Sequence, residues 1–195
     1  MARKKGSASE ITGPRIRAAA LRLFARYGFA AVSMRQIATE VGVQAGALYL
    51  YTADKETLLF DLLSTHMEEL IAAYDLRLQP KDPAARLEAF ARFHLGYNLD
   101  HPDLVFLSYM ELRNLGAQPF QSIEALRRSY EDRLARILTE GTDAGLFRLP
   151  DVKLAVMAII AMLNGVNTWY REGGRLSRVA IGDIYWDMVR RLVSA

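Results

Sequence analysis

Apolar residues recur at helical spacing along most of this 195-residue chain, and no stretch alternates apolar and polar residues as a strand does. Glycine and proline mark the breaks, as at Gly28, Gly42, Pro102 and Gly145. The pattern therefore predicts an all-α protein with about nine helices. The helices are predicted at approximately residues 14–27, 34–41, 44–51, 54–74, 83–99, 102–115, 120–144, 152–171 and 178–193.

The stretch 33–56 predicts two short helices joined by a tight turn. Ser33 is a suitable N-cap, because its hydroxyl can accept a hydrogen bond from a backbone N–H of the first turn. Gly42 readily adopts the positive φ that ends a helix, and Leu48 of the second helix faces back toward the first. The apolar stripe of the first helix comprises Ile37, Ala38 and Val41.

This pair has the outline of a helix-turn-helix, whose second helix can lie in the major groove of DNA. Small residues at 45–47 let the backbone approach DNA, and neighbouring polar and aromatic tips can reach a base edge or a phosphate. From the residues alone, an ordinary helical hairpin with a glycine turn fits almost equally well. The residues predicted to contact DNA are Ser33, Met34, Arg35, Gln44, Ala45, Gly46, Ala47, Tyr49, Tyr51 and Lys55.

The charge distribution favours a nucleic-acid partner. The net charge is +3, but residues 1–56 hold nine Lys and Arg against four Asp and Glu, a net charge of +5, so the remainder carries −2. Positive charge is concentrated around the predicted hairpin, as phosphate binding requires. A solvated basic face is the alternative. Residues 1–9 are predicted to form a disordered basic arm that either touches DNA or only aids solubility.

The absence of cysteine excludes disulfides and thiolate sites, which agrees with a reducing cytoplasm. No apolar segment follows the polar first residues, so no secretory signal is expected. The longest apolar run, 154–166, is interrupted by Asn164 and is predicted to be too short to span a bilayer. These features together predict a cytoplasmic protein.

The predicted helix 152–171 is apolar on nearly every side, and such a helix must be covered all round. A single chain of this size does not readily provide that cover, which favours a partner subunit. A central helix within one core is the alternative. Asn164 and Asn167 interrupt the apolar surface, and each needs a hydrogen-bond partner, which could be a ligand, the backbone or a symmetry mate.

From residue 16 to residue 58 the chain resembles the DNA-binding domain of the TetR family of transcriptional regulators. Ala47 and Thr52 depart from the family pattern, which often has Ser or Thr at the first position and an aromatic residue at the second. The matching residues are Ile16, Ala19, Ala20, Leu23, Phe24, Gly28, Ser33, Ile37, Ala38, Val41, Gly42, Val43, Gly46, Leu48, Tyr49, Tyr51, Lys55, Glu56 and Leu58.

This resemblance implies a helix-turn-helix DNA-binding domain at 10–56 and a helical ligand-binding and dimerisation domain at 57–195. TetR-like proteins dimerise through their last two long helices, and a two-fold dimer places two heads on two DNA half-sites. The resemblance therefore implies a homodimer formed through helices 120–144 and 152–171.

Residues 153–185 look like one TetR subgroup whose members often respond to acyl-CoA thioesters. The middle region around Glu111, Arg113, Asn114 and Leu115 also resembles that subgroup. The matching residues in the C-terminal part are Lys153, Leu154, Ala155, Met162, Leu163, Asn164, Trp169, Tyr170, Arg171, Gly173, Gly174, Arg175, Leu176, Ser177, Ile181 and Tyr185.

Aromatic and flexible apolar residues on the middle helices suit the walls of an acyl pocket, and arginines near a glycine-rich turn suit the phosphates of CoA. Core filling and solvated surface charge are the alternatives for these two groups. The residues predicted to bind a ligand are Phe93, Tyr97, Phe106, Tyr109, Met110, Arg113, Asn164, Asn167, Trp169, Arg171 and Arg175.

The sequence contains no Gly-x-Ser-x-Gly, phosphate-cradling glycine loop or His-Glu-x-x-His motif. Its histidines, His66, His94 and His101, fall on different predicted elements. We therefore expect no enzyme activity, catalytic residue, metal site or cofactor. The prediction is a ligand-responsive dimeric repressor that binds a palindromic operator and is released by a small molecule, with an acyl-CoA as the leading candidate. Two alternatives remain. One is the same repressor scaffold sensing a non-CoA drug-like or aromatic ligand, and the other is a helical interaction protein without DNA function.

Overall fold

The computed structural model describes the backbone of residues 5–194 and the side chains of residues 12–194. Throughout that range the secondary structure is helical, with no strand, which confirms the all-α fold class. The elements are α1 Lys5–Tyr27, α2 Met34–Val41, α3 Ala45–Leu48, α4 Lys55–Asp75, α5 Pro83–Asp100, α6 Pro102–Met110, a 3₁₀ helix Leu112–Asn114, α7 Ala117–Asp143, α8 Val152–Asn164, α9 Val166–Trp169 and α10 Arg178–Val193.

The first helix is longer than the sequence predicts. It begins at Lys5, so Pro14 lies inside it and not in its first turn. Proline removes a single i→i−4 hydrogen bond, and here the helix continues on both sides of it. The predicted disordered arm is therefore wrong for residues 5–9, which are helical, while residues 1–4 lie outside the described part of the chain.

Three other helices are shorter than predicted. The helix expected at 44–51 is only the four residues of α3, followed by a turn at 49–51. The helix expected at 152–171 is divided at Gly165 into α8 and α9. The helix expected at 102–115 ends at Met110, and the 3₁₀ helix Leu112–Asn114 follows it.

One compact unit comprises residues 1–67 together with residues 106–124. In it α1 packs against α2, and α2 packs against α3. Helical spacing places Tyr27 on the same stripe of α1 as Ile16, Ala20 and Phe24, but as the last residue of that helix it is 53% exposed. The fully buried side chains of this unit include Ile16, Phe24, Ile37, Leu48, Leu58, Leu59, Leu63, Leu107 and Ile123.

The other compact unit comprises residues 68–105 and 125–195. Here α5 packs against α8 and α10, and the last two also contact each other. The fully buried side chains include Leu87, Phe90, Leu134, Leu138, Ile159 and Val189. The division of the chain into units falls within helices α4, α6 and α7, and the predicted domain boundary at 56/57 remains a prediction.

Among the described residues, one stretch, Val152–Trp169, is long and apolar enough to cross a membrane by length and composition. This stretch is longer at both ends than the run 154–166, so the prediction that the shorter run alone is too short for a bilayer stands. The stretch consists of two helices separated at Gly165, and it carries Asn164 and Asn167. Length and apolar composition alone do not separate a spanning helix from a helix covered by protein.

Candidate nucleic-acid interface and buried polar cluster

The start of α2 is fixed by a complete capping box, as predicted for Ser33. The backbone N–H of Gln36 donates to Ser33 Oγ at 3.3 Å, and the backbone N–H of Ser33 donates to Gln36 Oε1 at 2.7 Å. The helix ends at Gly42, which has φ 78°. These two ends hold α2 at a fixed length, because each satisfies backbone groups that would otherwise lack partners.

The short helix α3 presents a solvent-exposed surface. Its only buried side chain is Leu48, which is fully buried and anchors the helix. Gln44 is exposed, Tyr49 is 58% exposed and Tyr51 is half-buried. A Cβ added at Gly46 would meet no atom within 4 Å, so open space lies beside this backbone. The surface that the sequence assigned to DNA is therefore accessible.

Several cations near this surface are already engaged within the unit. The ammonium of Lys55 donates to the carbonyls of Phe29 and Val32 at 2.7 and 2.8 Å. It thus keeps one of its three hydrogens for another acceptor such as a phosphate. The guanidinium of Arg15 donates to the carbonyl of Val41 at 2.9 Å, while the side chain of Arg35 is exposed.

Most of the residues predicted to contact DNA thus lie on one short segment of a single compact unit. Met34, Ala45 and Ala47 are half-buried, and Ser33 and Gly46 are exposed. The structure adds Leu50, which the sequence analysis did not single out and which is 83% exposed next to Tyr49. A large apolar side chain kept in solvent beside a basic surface is an available contact for a thymine methyl group.

The residues predicted to bind a ligand are split between the two units. Phe106, Tyr109, Met110 and Arg113 belong to the unit that contains α2 and α3, and all four are exposed. The other predicted residues belong to the second unit. The predicted ligand-binding residues therefore remain a prediction, and those in each compact unit are described by themselves.

In the second unit, a buried polar cluster joins α5, α7 and α8. His94 Nδ1 lies 3.0 Å from the hydroxyl of Tyr130, and His94 Nε2 lies 2.9 Å from Asn164 Oδ1. Asn98 Nδ2 donates to Asn164 Oδ1 at 2.6 Å. His94, Asn98 and Tyr130 are each at most 3% exposed. The partners of the predicted Asn164 are thus protein side chains.

One proton arrangement satisfies these three hydrogen bonds, and in it Asn98 Nδ2, which lies 3.1 Å from His94 Nε2, donates to Asn164 and not to the ring. The hydroxyl of Tyr130 donates to Nδ1 of a neutral His94, and the Nε2–H of His94 donates to Asn164 Oδ1. Burial lowers the pKa of His94 from 6.5 to about 4, although the hydrogen bond to Asn164 acts in the opposite direction. Burial also raises the pKa of Tyr130 well above 10, so both groups are neutral at pH 7.

Aromatic rings extend from this cluster along one side of α5. The rings of Phe93 and Tyr97 lie 5.7 Å apart, and those of Tyr97 and His101 lie 4.3 Å apart. Burial, together with the charge of Glu69, raises the pKa of Tyr97 to about 12. Phe93 and Tyr97 are only half-buried, so this row combines apolar surface with access from outside.

The C-terminal residues of the predicted ligand set do not converge. Trp169 is 48% exposed and stacks on Tyr185 with ring centroids 6.4 Å apart. Arg171 donates to the carbonyl of its neighbour Tyr170, and Arg175 is exposed. Asn167 Nδ2 lies 3.4 Å from the carbonyl of Asn164. In residues 12–194, no group of three or more His, Asp or Glu side chains is arranged to hold a metal ion.

Comparison with known proteins now identifies the family. The model of bacterial regulatory proteins of the tetR family matches residues 16–62, and the model of a tetracyclin repressor-like C-terminal domain matches residues 80–193. Together the two matches cover most of the chain. The chain belongs to the TetR family. It is a DNA-binding regulator of transcription and not an enzyme, and regulators of this family bind operator DNA and small-molecule effectors.

Two relatives of this TetR-family protein, and one solved structure with the same fold, carry informative names. The HTH-type transcriptional repressor KstR2 of Mycobacterium tuberculosis is 30% identical over 171 residues, covering 86% of this chain and 85% of KstR2. The fatty acid metabolism regulator protein of Bacillus subtilis is 27% identical over 168 residues, covering 85% and 87%. AibR, solved with isovaleryl coenzyme A and operator DNA, shares the fold at a TM-score of 0.79 and 24% identity, covering 90% and 97%.

Sequence reasoning missed the partners that complete the buried cluster. His94 and Asn98 are four positions apart on α5, a spacing that places them on one helix face. That spacing, together with an asparagine at position 164 in another apolar helix, was the sequence signal from which part of the buried cluster could have been predicted. Tyr130 gave no comparable signal, because a tyrosine on a charged helix such as α7 is ordinary until the fold shows its position.

Proposed function

We propose that this protein is a homodimeric, ligand-responsive repressor whose two heads bind a palindromic operator and release it when a small molecule binds. The observation that carries the proposal is the accessible surface of α3 and the turn after it, with Tyr49 58% exposed and Leu48 fully buried beneath. A short helix that is anchored by a buried residue on one side and exposed on the other is suited to enter a major groove.

The DNA contacts divide into two kinds. Gln44 and Leu50 are exposed and suit base edges, the first by hydrogen bonding and the second by apolar contact with a thymine methyl. Arg35 and the remaining donor of Lys55 suit phosphates, which position the head without reading sequence. Residues 10–56 are the proposed DNA-binding domain, and 57–195 the proposed ligand-binding and dimerisation domain.

The proposed dimer surface is the exposed apolar face of α8 and α10. Leu154 and Met157 on α8 are 62% and 54% exposed, and Met188 on α10 is 47% exposed. Exposed apolar residues that line two packed helices favour an interface between copies. This choice replaces the predicted pairing of 120–144 with 152–171, because Phe120 is the single large apolar side chain exposed on the described length of α7.

The proposed effector is an acyl-CoA. The half-buried aromatic row of Phe93 and Tyr97 suits an acyl chain, and Asn164, which is hydrogen-bonded to His94 on the same helix as that row, provides an amide in the same unit. AibR, which shares the fold, was solved with isovaleryl coenzyme A and operator DNA. The relative from Bacillus subtilis is named for fatty acid metabolism. Because the operator of a bacterial regulator is in the cytoplasm, we place the protein there.

Selection from a pool of random duplex DNA tests the DNA-binding part of the proposal. The full-length protein should enrich a palindrome, and its affinity for that duplex should fall steeply with salt concentration, as phosphate contacts require. Enrichment of no sequence, or binding that is independent of salt, would contradict the proposal and favour a helical interaction protein.

Titration of the selected complex with ligands tests the effector. Three arms are compared: an acyl-CoA such as isovaleryl-CoA, the corresponding free acid, and free CoA. Release of DNA by the thioester alone supports the proposal. Release by the free acid, or by none of the three, would show that the effector belongs to another chemical class.

A further inference from the structure

The turn between α1 and α2 is held by a carboxylate that lies 82 positions further along the chain. Glu111 Oε1 accepts a hydrogen bond from the backbone N–H of Phe29 at 3.1 Å. Its other oxygen accepts one from Asn114 Nδ2 at 2.6 Å. Glu111 is only 8% exposed. Because both oxygens are engaged, the carboxylate has a fixed orientation toward the turn.

The same residue, Phe29, is also held by α4. Lys55 donates to the carbonyls of Phe29 and Val32, and its ammonium lies 4.2 Å from the ring centroid of Phe29. That ring also packs on Phe24, with centroids 5.3 Å apart. The N–H, the carbonyl and the ring of Phe29 are therefore all fixed, four residues before Ser33 caps α2.

The segment that carries Glu111 is anchored in the same compact unit as the head. Residues 106–124 belong to that unit although the C-terminal family model, at 80–193, includes them. Leu112 and Leu115 are 7% and 8% exposed. Glu56, next to Lys55, accepts a hydrogen bond from the backbone N–H of Gly116 at 2.6 Å. Two carboxylates thus tie this segment to the head.

The position of Glu111 is not explained by helix electrostatics. Gly28 ends α1 with φ 81°, and a Cβ added there would lie 3.4 Å from Glu111 Oε1. A carboxylate beside the C-terminal end of a helix is disfavoured by the helix dipole, and its burial is costly. A residue placed against such local preferences points to a geometric role beyond stability.

We propose that Glu111 is a positioning residue for operator binding. It acts through the Phe29 peptide, whose position sets where α2 starts and, through the contact of α2 with α3, how the recognition surface is presented. This inference rests on the proposed DNA-binding function and adds to it a residue outside the head. The effect is on geometry, so it depends on the hydrogen-bond acceptor and not on the negative charge.

The test compares full-length Glu111→Ala, Glu111→Gln and the exposed control Glu68→Ala for affinity toward the duplex selected by the wild type. Measurements are made well below the melting temperature, with amide exchange of α2 as the check that the head is folded. Glu111→Ala should weaken binding about tenfold, because the half-buried N–H of Phe29 loses the acceptor that fixes its position. Glu111→Gln keeps a hydrogen-bond acceptor, so its operator affinity should stay within about threefold of the wild-type affinity. The control Glu68→Ala should bind the operator as tightly as the wild type.

Equal affinity of Glu111→Ala and the wild type would overturn the inference, as would equal losses in the Ala and Gln variants. If Glu111→Ala does not fold, Asn114→Ala decides instead: it removes the donor that orients the carboxylate, and unchanged operator affinity in that variant would also overturn the inference. If the wild type selects no duplex, the proposed DNA-binding function itself is refuted. That outcome is distinct from a failure of the inference about Glu111, which requires a wild type that binds.

Discussion

In the head, residues 16–62, a capping serine and a lysine hold the backbone around the recognition surface, whereas in the second unit a cluster of polar side chains bonds internally inside the core. Ser33 and Gln36 cap α2, and Lys55 binds two carbonyls of the preceding turn. In the second unit, the side chains of His94 and Asn164 pair with each other. The first arrangement makes a rigid, readable surface. The second is a buried network that can be disturbed by a ligand or a proton.

The largest expected effect sharpens the first half of this contrast. Gly46→Glu places a carboxylate on the exposed side of α3, where an added Cβ meets no protein atom within 4 Å. The variant should fold normally yet lose operator affinity by about 100-fold or more, because like charges face each other across the interface. Electrophoretic mobility shift with the selected duplex measures the loss. Gly46→Ala is the matched control, and a Glu variant that binds as well as the Ala variant would contradict the placement of α3.

The second prediction concerns the buried network. His94 is neutral in the folded protein, with a pKa lowered to about 4, and has an ordinary pKa of 6.5 when unfolded. Between pH 4 and pH 6.5 the unfolded state therefore binds more protons than the folded state. The contribution of neutral His94 to the free energy of unfolding is thus fully present above pH 6.5 and is lost as the pH falls toward 4. Lowering the pH from 7 to 5 should cost about 2 kcal/mol of unfolding free energy at this site.

Urea unfolding at pH 7 and pH 5 measures this change. The variant His94→Gln should be less stable at pH 7 but should lose the part of the pH dependence that His94 contributes. The head matched by the family model at 16–62 contains no histidine, so exchange of its α2 amides should not share this dependence. The same pH slope in the variant and the wild type would show that His94 is not the titrating group.

A third prediction addresses the apolar face of α8. Met157→Glu introduces a charge where Met157 is 54% exposed on one subunit, and it should weaken the homodimer by about tenfold or more. Sedimentation equilibrium measures the dimer dissociation constant. Glu68→Lys, an exposed change of charge on α4, should leave it nearly unchanged. Equal dissociation constants for Met157→Glu and the wild type would exclude this face as the interface.

The smallest expected effects compare one ion pair from each region. Arg133 binds Asp75 with two hydrogen bonds of 2.7 and 2.5 Å, and its side chain is 16% exposed. Arg22 makes a single 3.0 Å contact with Glu40, and its side chain is 59% exposed. We expect Arg133→Ala to cost about 1 kcal/mol and Arg22→Ala less than about 0.5 kcal/mol. Thermal unfolding orders the two, and the reverse order would contradict this ranking.

The sequence was most informative where function fixes local geometry. Ser33 as a cap and Gly42 as a helix stop could be predicted because each residue type is suited to one backbone task, and the structure confirms both. The fold class followed from helical periodicity. In contrast, the length of α3 could not be predicted, since Tyr49 and Leu50 are as compatible with a continuing helix as with the turn that forms.

Contacts between distant parts of the chain were beyond sequence reasoning. The bond between Glu111 and Phe29 joins residues 82 positions apart, and no local pattern marks such a pair. The cluster of His94 and Tyr130 likewise depends on how α7 lies against α5. Asn164 was recognised as needing a partner, but the identity of that partner follows only from packing. Tertiary structure, and not propensity, decides these features.

Methylation interference on the selected duplex tests the central claim most directly, because it reports whether α3 lies in the major groove. Dimethyl sulfate modifies guanine N7, which faces that groove. We predict interference at two patches, one in each half-site, about one helical turn apart or a multiple of it. Binding that is unaffected by N7 methylation throughout the selected duplex would contradict the claim that this exposed helix reads DNA.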